Sequence, residues 1–301
     1  MKNTLNKNRA IICVVIFIGL MIIVTMIIAG VQLSKPYRYS AKLVAAINEG
    51  NYKKAKAIIE KHNFDLNTPT SKPNKFWNAL TESTPATPLS AACYMGNYEM
   101  VKFLIENGAT GKHVEGTTWP AIIQAVRKYD PDDYKIIELL LDNGADPNLI
   151  YTNMTAIEHA AKMSPICKNE HGDYYYNEEV ACEIVKIVKL FVEKGGSVDG
   201  SDIGENYTLA FGAVEASNIA LLEYVLDDLK TDVNKKDSYE KTAAFALYYK
   251  TLARYPGCYK KMTEILTAHG ADLLIKDLYG KTVYDYAVET GNTELTELLM
   301  P

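Results

Sequence analysis

Three residues suited to metal or redox chemistry lie close together near the middle of this sequence: Cys167, His171 and Cys182. Thiolates and imidazoles are ligands that zinc prefers, but zinc sites usually contain two tightly spaced ligand pairs, and these residues form one loose set. Cys167 and Cys182 could instead form a disulfide worth ~3 kcal/mol, if this part of the chain lies in an oxidising compartment. We therefore predict no metal site here and leave the disulfide open.

Other catalytic patterns are missing from the sequence. It contains no His-Glu-x-x-His motif of metalloproteases, no nucleophile elbow, no glycine loop that cradles phosphate and no convincing pair of catalytic carboxylates. We therefore predict a protein that is not an enzyme and that binds no cofactor and no small-molecule substrate. An enzymatic or metal-binding site in the inserted segments of the chain is a weaker alternative.

The elements that position these residues are pairs of short helices. In the stretch from Thr87 to Ala109, the Thr87 hydroxyl can cap a first helix, and Pro88 suits its first position because no intrahelical partner is lost there. Gly96 makes a turn, and Gly108 follows the apolar stripe of a second helix, where a left-handed residue ends the helix. Such a pair cannot bury its own apolar faces, so it needs copies on either side.

These copies recur along the chain, because Gly144, Gly195 and Gly270 each follow an apolar helical run as Gly108 does. The pattern resembles the ankyrin repeat family, whose units open on Thr-Pro-Leu-His-x-Ala and recur about every 33 residues. The resemblance covers nearly everything after Tyr39. It implies an all-α helix–turn–helix solenoid of about seven repeats, with a protein as the partner.

Three segments interrupt the predicted array of residues 39–301, at 68–86, 164–179 and 253–260. The first of them contains Trp77, in a stretch rich in proline and hydroxyl residues. Tryptophan is enriched among the interface residues that dominate binding, so Trp77 is a candidate anchor for a partner. The alternative is a surface loop whose aromatic residues fold back on the solenoid.

The chain begins with a basic tail at 1–9, followed by an apolar segment at 10–31 and a linker at 32–38. Thr25 is the only clearly polar residue of the apolar segment, which as a helix would span about 33 Å and cross a bilayer. A cleaved signal peptide is the alternative, although its apolar region is usually only ~7–15 residues long. We therefore predict an uncleaved transmembrane anchor. Short positive tails tend to stay in the cytoplasm, which places the repeats outside it.

Charge argues against nucleic acid as a partner. Residues 1–42 hold six of the 32 basic residues and no acidic residue, which leaves 26 basic against 37 acidic residues and a net charge of −11 in the remainder. Affinity for nucleic acid rests largely on Lys and Arg, which are outnumbered here.

The partner surface is predicted at the variable residues before each repeat opening, because these project into the concave face of a stacked array. Tyrosine supplies contact area at little entropic cost, so a ladder of tyrosines with interspersed acids would suit a protein with a basic or mixed surface. The alternative is that several tyrosines pack against neighbouring hairpins. The candidate residues are Trp119, Tyr151, Asn153, Glu205, Tyr207, Tyr239, Glu240 and Tyr279.

Together these features predict a membrane-tethered scaffold that binds another protein through its concave face and its inserted loops. The similarity to bacterial membrane-anchored ankyrin repeat proteins implies a second role, the neutralisation of a toxin or of an envelope enzyme. Both roles stay open at this point, since no residue discriminates between them.

Overall fold

The computed structural model describes residues 21, 34–71, 85–117, 119–128, 133–199, 208–249 and 258–300. Within these residues the chain forms seven successive pairs of helices, each pair being one unit of a linear array. In chain order the pairs are α1 (34–48) and α2 (Tyr52–Lys61); α3 (Pro88–Tyr94) and α4 (Tyr98–Glu106); α5 (Ala121–Lys128) and α6 (Asp133–Asp142); α7 (Ala156–Ala161) and α8 (Glu178–Glu193); α9 (Leu209–Glu215) and α10 (Ile219–Glu223) with a π-helical turn (Tyr224–Asp228); a 3₁₀ helix (Ala243–Tyr248) and α11 (Cys258–Ala268); and α12 (Val283–Glu289) and α13 (Thr293–Leu298).

Polar side chains set where these helices begin. Threonine hydroxyls accept a backbone N–H of the first turn at the start of α3, α7, α9 and α12. Asparagine side chains do the same for α2, α4, α8, α10 and α13. Each cap satisfies an N–H group that has no partner inside its helix. The repeated pattern of Thr before a first helix and Asn before a second helix is therefore the local cause of the helix pairs.

One hydrophobic core runs along the array from the first pair to the last. Phe191, Phe211 and Phe245 are the bulkiest of its fully buried side chains. Small residues on the first helices let neighbouring units approach closely, and a Cβ added at Gly212 of α9 would lie 3.1 Å from the Ala161 Cβ of α7. Since each unit packs chiefly on the next, stability comes from the interfaces between neighbours.

Three asparagines join neighbouring units at their loops: Asn67, Asn148 and Asn234. The Asn148 side-chain amide donates to the Gly195 carbonyl oxygen at 2.8 Å, and its oxygen accepts the Ser197 N–H at 2.8 Å. Asn67 and Asn234 make the same pair of bonds to the unit that follows each of them. One side chain thus holds the loop after one unit against the loop after the next.

The fold is mostly helical rather than all-α, because two short antiparallel β-hairpins interrupt it. Strand β1 (Ile150–Tyr151) pairs with β2 (Met154–Thr155), and β3 (Ile166–Lys168) pairs with β4 (Tyr174–Tyr176). The second hairpin forms most of the insertion predicted at 164–179. Its tyrosine run favours strand, and Asn169 makes the turn by accepting the His171 and Asp173 N–H groups at 2.9 Å each.

Among the described residues, no helix is both long and apolar enough to cross a membrane. The predicted anchor at 10–31 lies outside the described residues except for Met21, and so do 72–84 and 253–257 of the predicted insertions. Residues 34–38, predicted as part of a linker, are helical and continue into the rest of α1. Pro36 suits a helix there because its ring fixes φ near the helical value.

Candidate functional site

The candidate site is built from side chains at one repeated position of the first helices. Tyr94, Lys162 and Glu215 each lie seven residues after the threonine that caps their helix. Arg127, the seventh residue of α5, occupies the matching position of its unit. Because the units stack side by side, equivalent positions form a row along one face of the array. We term these four side chains the first-helix row.

Two adjoining depressions follow this row. The first, of about 530 Å³, has Val44, Asn48, Tyr94, Trp119, Gln124 and Arg127 in its lining. The second, of about 580 Å³, has Arg127, Met154, His159 and Lys162 in its lining. Arg127 lines both, and the two neighbouring depressions, which run over the first four units, are together termed here the first-helix groove.

A pair of aromatic rings holds Arg127 where the two depressions meet. The Arg127 guanidinium lies over the Trp119 ring, 4.4 Å from its centroid, and the Tyr151 ring lies tilted at 43° against Trp119 with the centroids 4.9 Å apart. A guanidinium placed over a ring keeps N–H groups available to other acceptors. The Arg127 side chain is also exposed, so this aromatic pair positions a cation that faces solvent.

His159 contacts the aromatic pair through Tyr151. Its Nε2 lies 3.0 Å from the Tyr151 carbonyl oxygen, so that nitrogen carries the proton and donates it. Burial lowers the pKa of His159, and the nearby charges of Arg127 and Lys162 lower it further. The imidazole is therefore neutral at pH 7, and Arg127 and Lys162 are the cations of the groove.

The groove is cationic although the array is acidic overall. Within the described structure, its lining contains Arg127 and Lys162 but no Asp or Glu. Lys162 pairs with Glu215 at 3.0 Å, across the interface between the fourth and fifth units. Among the described residues Arg127 forms no ion pair, and its exposed side chain presents a positive charge to the groove. The partner with a basic or mixed surface stays a prediction, because it rests on the net charge of the whole array and not on the lining of this groove.

The structure brings together two groups of the predicted partner-binding residues. Trp119 and Tyr151 meet in the aromatic pair, and Trp119 lies under the Arg127 guanidinium. Tyr239 and Tyr279, which are 43% and 70% exposed, lie at neighbouring loop tips. These tips are joined because the Leu278 N–H donates to the Tyr239 carbonyl oxygen at 3.1 Å.

The remaining predicted residues lie apart from the groove or outside the described structure. Asn153 and Glu240 occupy left-handed positions in their loops, with φ of 64° and 59°. Glu240 pairs with Lys236 at 3.2 Å. The other three candidates, which lie outside the described residues, are Trp77, Glu205 and Tyr207. A partner-binding role for all of these residues stays a prediction.

Tyr94, Arg127 and Lys162 are not among the predicted residues, because they lie at the ends of the first helices and the predicted residues precede those helices. The available signal was their constant spacing from the start of the helix. Side chains at equivalent positions of stacked repeats share a face, so this spacing predicts the row.

The cysteines and the histidine of the inserted hairpin are not gathered into a site. Cys167 and Cys182 are free thiols in the structure, so their disulfide stays a prediction. Cys167 lies opposite Tyr175 in the second hairpin, Cys182 lies in α8, and His171 is exposed. Among the described residues, no three His, Cys, Asp or Glu side chains are grouped so that they could hold a metal ion.

A linear stack of helix pairs with a groove along its first helices defines a helical repeat protein. Residues 42–151 match the family model of ankyrin repeats in three copies. The chain is similar in structure to the ankyrin repeat domain of Bcl-3, a member of the IkappaB protein family, with 19% identity, a TM-score of 0.53 and coverage of 81% of this chain and 92% of that one. It is also similar to the human ASB11 ankyrin repeat domain, with 17% identity, a TM-score of 0.62 and coverage of 86% of this chain and 96% of that one. No curated protein matches the chain.

Residues 42–151 therefore match ankyrin repeats, and the likeness to the two solved structures shows the ankyrin repeat fold over most of the chain. The predicted family is confirmed for residues 42–151, and the predicted helical solenoid is confirmed as a fold. Ankyrin repeat domains typically mediate protein–protein interactions, and the scaffold is usually non-catalytic.

Proposed function

We propose that this protein is a membrane-tethered scaffold that binds another protein through the first-helix groove and the inserted loops. The observation that carries the proposal is the groove, which crosses the first four units and presents Tyr94 at 55% exposure in the same row as Arg127. Aromatic and arginine side chains are enriched in protein interfaces and among the residues that dominate binding. A protein partner is therefore the ligand that the groove suits best.

Photocrosslinking in the native cell tests this proposal. One variant of the full-length chain carries p-benzoylphenylalanine in place of Tyr94, and a matched control carries it in place of Lys189, an exposed residue of the second helix α8. We expect a discrete crosslinked protein from position 94 only. The identity of that protein then separates a scaffold from a neutraliser. Equal crosslinking at both positions, or crosslinking at 189 alone, would contradict binding in the groove.

The membrane tether is proposed from the apolar segment at 10–31, and the placement of the repeats outside the cytoplasm from the basic tail before it. A tag after Pro301 tests both in fractionated cells and in intact cells treated with protease. We expect the tag in the membrane fraction, and digested in intact cells or after opening of an outer envelope alone. Recovery in the soluble fraction would contradict the tether, and protection until permeabilisation would place the repeats in the cytoplasm.

A further inference from the structure

We propose that the first-helix groove selects an acidic segment of its partner, with a carboxylate bound by Arg127 and a nearby aromatic or apolar side chain lying against Tyr94. This inference rests on the proposed function, because it names the chemistry of the partner for the same groove.

Charge complementarity is the first argument. Of the two cations in the described lining, Lys162 is already compensated by Glu215 at 3.0 Å. Arg127 is the exposed cation of this lining, and no ion pair joins it to another residue that the structure describes. A carboxylate placed in the groove would meet this charge, whereas a lysine would face it with no Asp or Glu among the described lining residues. Such juxtaposition of like charges disfavours a wrong partner strongly.

The position of the guanidinium is the second argument. Arginine side chains lose conformational freedom when they bind, and that loss weakens affinity. Here the Trp119 ring, 4.4 Å from the guanidinium, already holds Arg127, and the Tyr151 ring packs against Trp119 in turn. The N–H groups of the guanidinium can then donate two parallel hydrogen bonds to a carboxylate, which is the strongest way in which Arg recognises an anion.

Spacing along the row is the third argument. Tyr94 lies in the unit before Arg127, and packed helices have axes about 8–10 Å apart. An extended chain rises about 3.3 Å per residue. An acidic residue and an aromatic residue two or three positions apart therefore reach both side chains. This predicts an extended segment rather than a folded surface as the occupant.

The test uses fluorescent copolymers of Glu and Tyr and of Lys and Tyr as probes. The full-length chain, purified in mild detergent, carries p-benzoylphenylalanine in place of Tyr94. Binding is measured as crosslinking at position 94, because the Lys/Tyr copolymer will also adhere to acidic surfaces elsewhere on an array with a net negative charge. We expect the Glu/Tyr copolymer to reach half-maximal crosslinking at a concentration at least about tenfold lower than the Lys/Tyr copolymer. Added KCl should raise the half-maximal concentration of the Glu/Tyr copolymer, because salt screens the charges.

Variants of the same chain assign the effect to Arg127. Arg127→Gln should raise the half-maximal concentration of the Glu/Tyr copolymer about tenfold, and Arg127→Lys should raise it less because it keeps the charge and loses the two-bond geometry. Lys189→Gln is the matched control, since Lys189 also lies over an aromatic ring, 4.7 Å from the centroid of Tyr224, but belongs to a second helix. It should leave crosslinking unchanged. A circular dichroism spectrum like that of the parent chain establishes that each variant folds.

Two results would overturn the inference alone, and a third would also overturn the proposed groove. Crosslinking by the Lys/Tyr copolymer at equal or lower concentration would overturn the acidic preference while leaving the groove as a binding surface. Undiminished Glu/Tyr crosslinking in Arg127→Gln would overturn the role of Arg127. No crosslinking of either copolymer at position 94 would overturn both the inference and the proposed groove.

Discussion

Asn148→Ala tests whether the paired amide bonds between units stabilise the array. The change removes the bond to the Gly195 carbonyl and the bond from the Ser197 N–H, both at 2.8 Å. Asn148 is only half-buried, so the loss of hydrogen bonds outweighs any loss of packing. A typical hydrogen bond contributes about 0.5–1.5 kcal/mol net, so removing two predicts a loss of about 1–3 kcal/mol in the free energy of unfolding.

The affected interface lies between the third and fourth units, near the middle of the array. In a linear repeat protein the interface between neighbours is the unit of cooperativity, so weakening one interface lowers the urea midpoint and also broadens the transition. Urea unfolding followed by both far-ultraviolet circular dichroism and tryptophan fluorescence measures the two effects. The unfolding transitions reported by the two probes should coincide more closely for the parent chain than for Asn148→Ala.

Asn143→Ala is the matched control, five residues away in the same loop region. Its amide makes one bond, to the Leu139 carbonyl at 2.8 Å within its own helix turn, and no bond to the next unit is recorded for it. We expect Asn143→Ala to cost about 1 kcal/mol or less. Asn148→Asp should fall between the two alanine variants, since it keeps the acceptor and loses the donor. The reasoning fails if Asn148→Ala is no more destabilising than Asn143→Ala.

Three further predictions concern pH and packing. Hydrogen bonds to a backbone carbonyl and to Asp227, the latter at 2.9 Å, raise the pKa of His269. The stabilisation by charged His269 is complete below the ordinary pKa of 6.5 and is lost as pH rises through the higher pKa of the folded state. His269→Gln should therefore remove this pH dependence from the urea midpoint, with a change in the free energy of unfolding of less than about 1 kcal/mol. Burial alone would raise the pKa of Asp277, but hydrogen bonds from the Tyr286 hydroxyl and two backbone N–H groups lower it. The stabilisation by ionised Asp277 is present above the ordinary Asp pKa and is lost as pH falls through the pKa of the folded state. The stability of Asp277→Asn should therefore change less with pH in the acid range than that of the parent chain. Gly111→Ala should lower the melting temperature by an amount equivalent to about 1–3 kcal/mol, because its Cβ would lie 2.5 Å from a backbone carbonyl oxygen.

Each of these has a result that would contradict it. A His269→Gln profile parallel to that of the parent chain would show that the link to Asp227 is not formed in solution. Acid unfolding of Asp277→Asn at the parent midpoint would remove the assigned role of that carboxylate. A parental melting temperature for Gly111→Ala would mean that the loop can move aside without loss.

The helix pairs could be predicted from the sequence because their causes are local. Thr87 before Pro88 and Gly108 after an apolar run act on the turn next to them, and such signals recur in the later units. The chemistry of the groove could not be predicted in the same way. Arg127 acquires its role from Trp119 and Tyr151, which reach it from the loops on either side of its helix pair, and no local pattern connects these three.

The repeated position of the first-helix row carries exposed side chains in two of the first units and a packed ring in the sixth unit. In the first units, Tyr94 and Arg127 leave the row open toward solvent. In the sixth unit Tyr249 holds this position and stacks on Tyr248 at 4.8 Å, and Tyr248 stacks in turn on Tyr286 of the seventh unit at 4.5 Å. Rings that are already packed on one another offer a partner less new contact than Tyr94, which is 55% exposed. The many tyrosines of this chain thus include exposed rings and rings packed on one another, and only the position of each ring relative to its neighbours distinguishes the two.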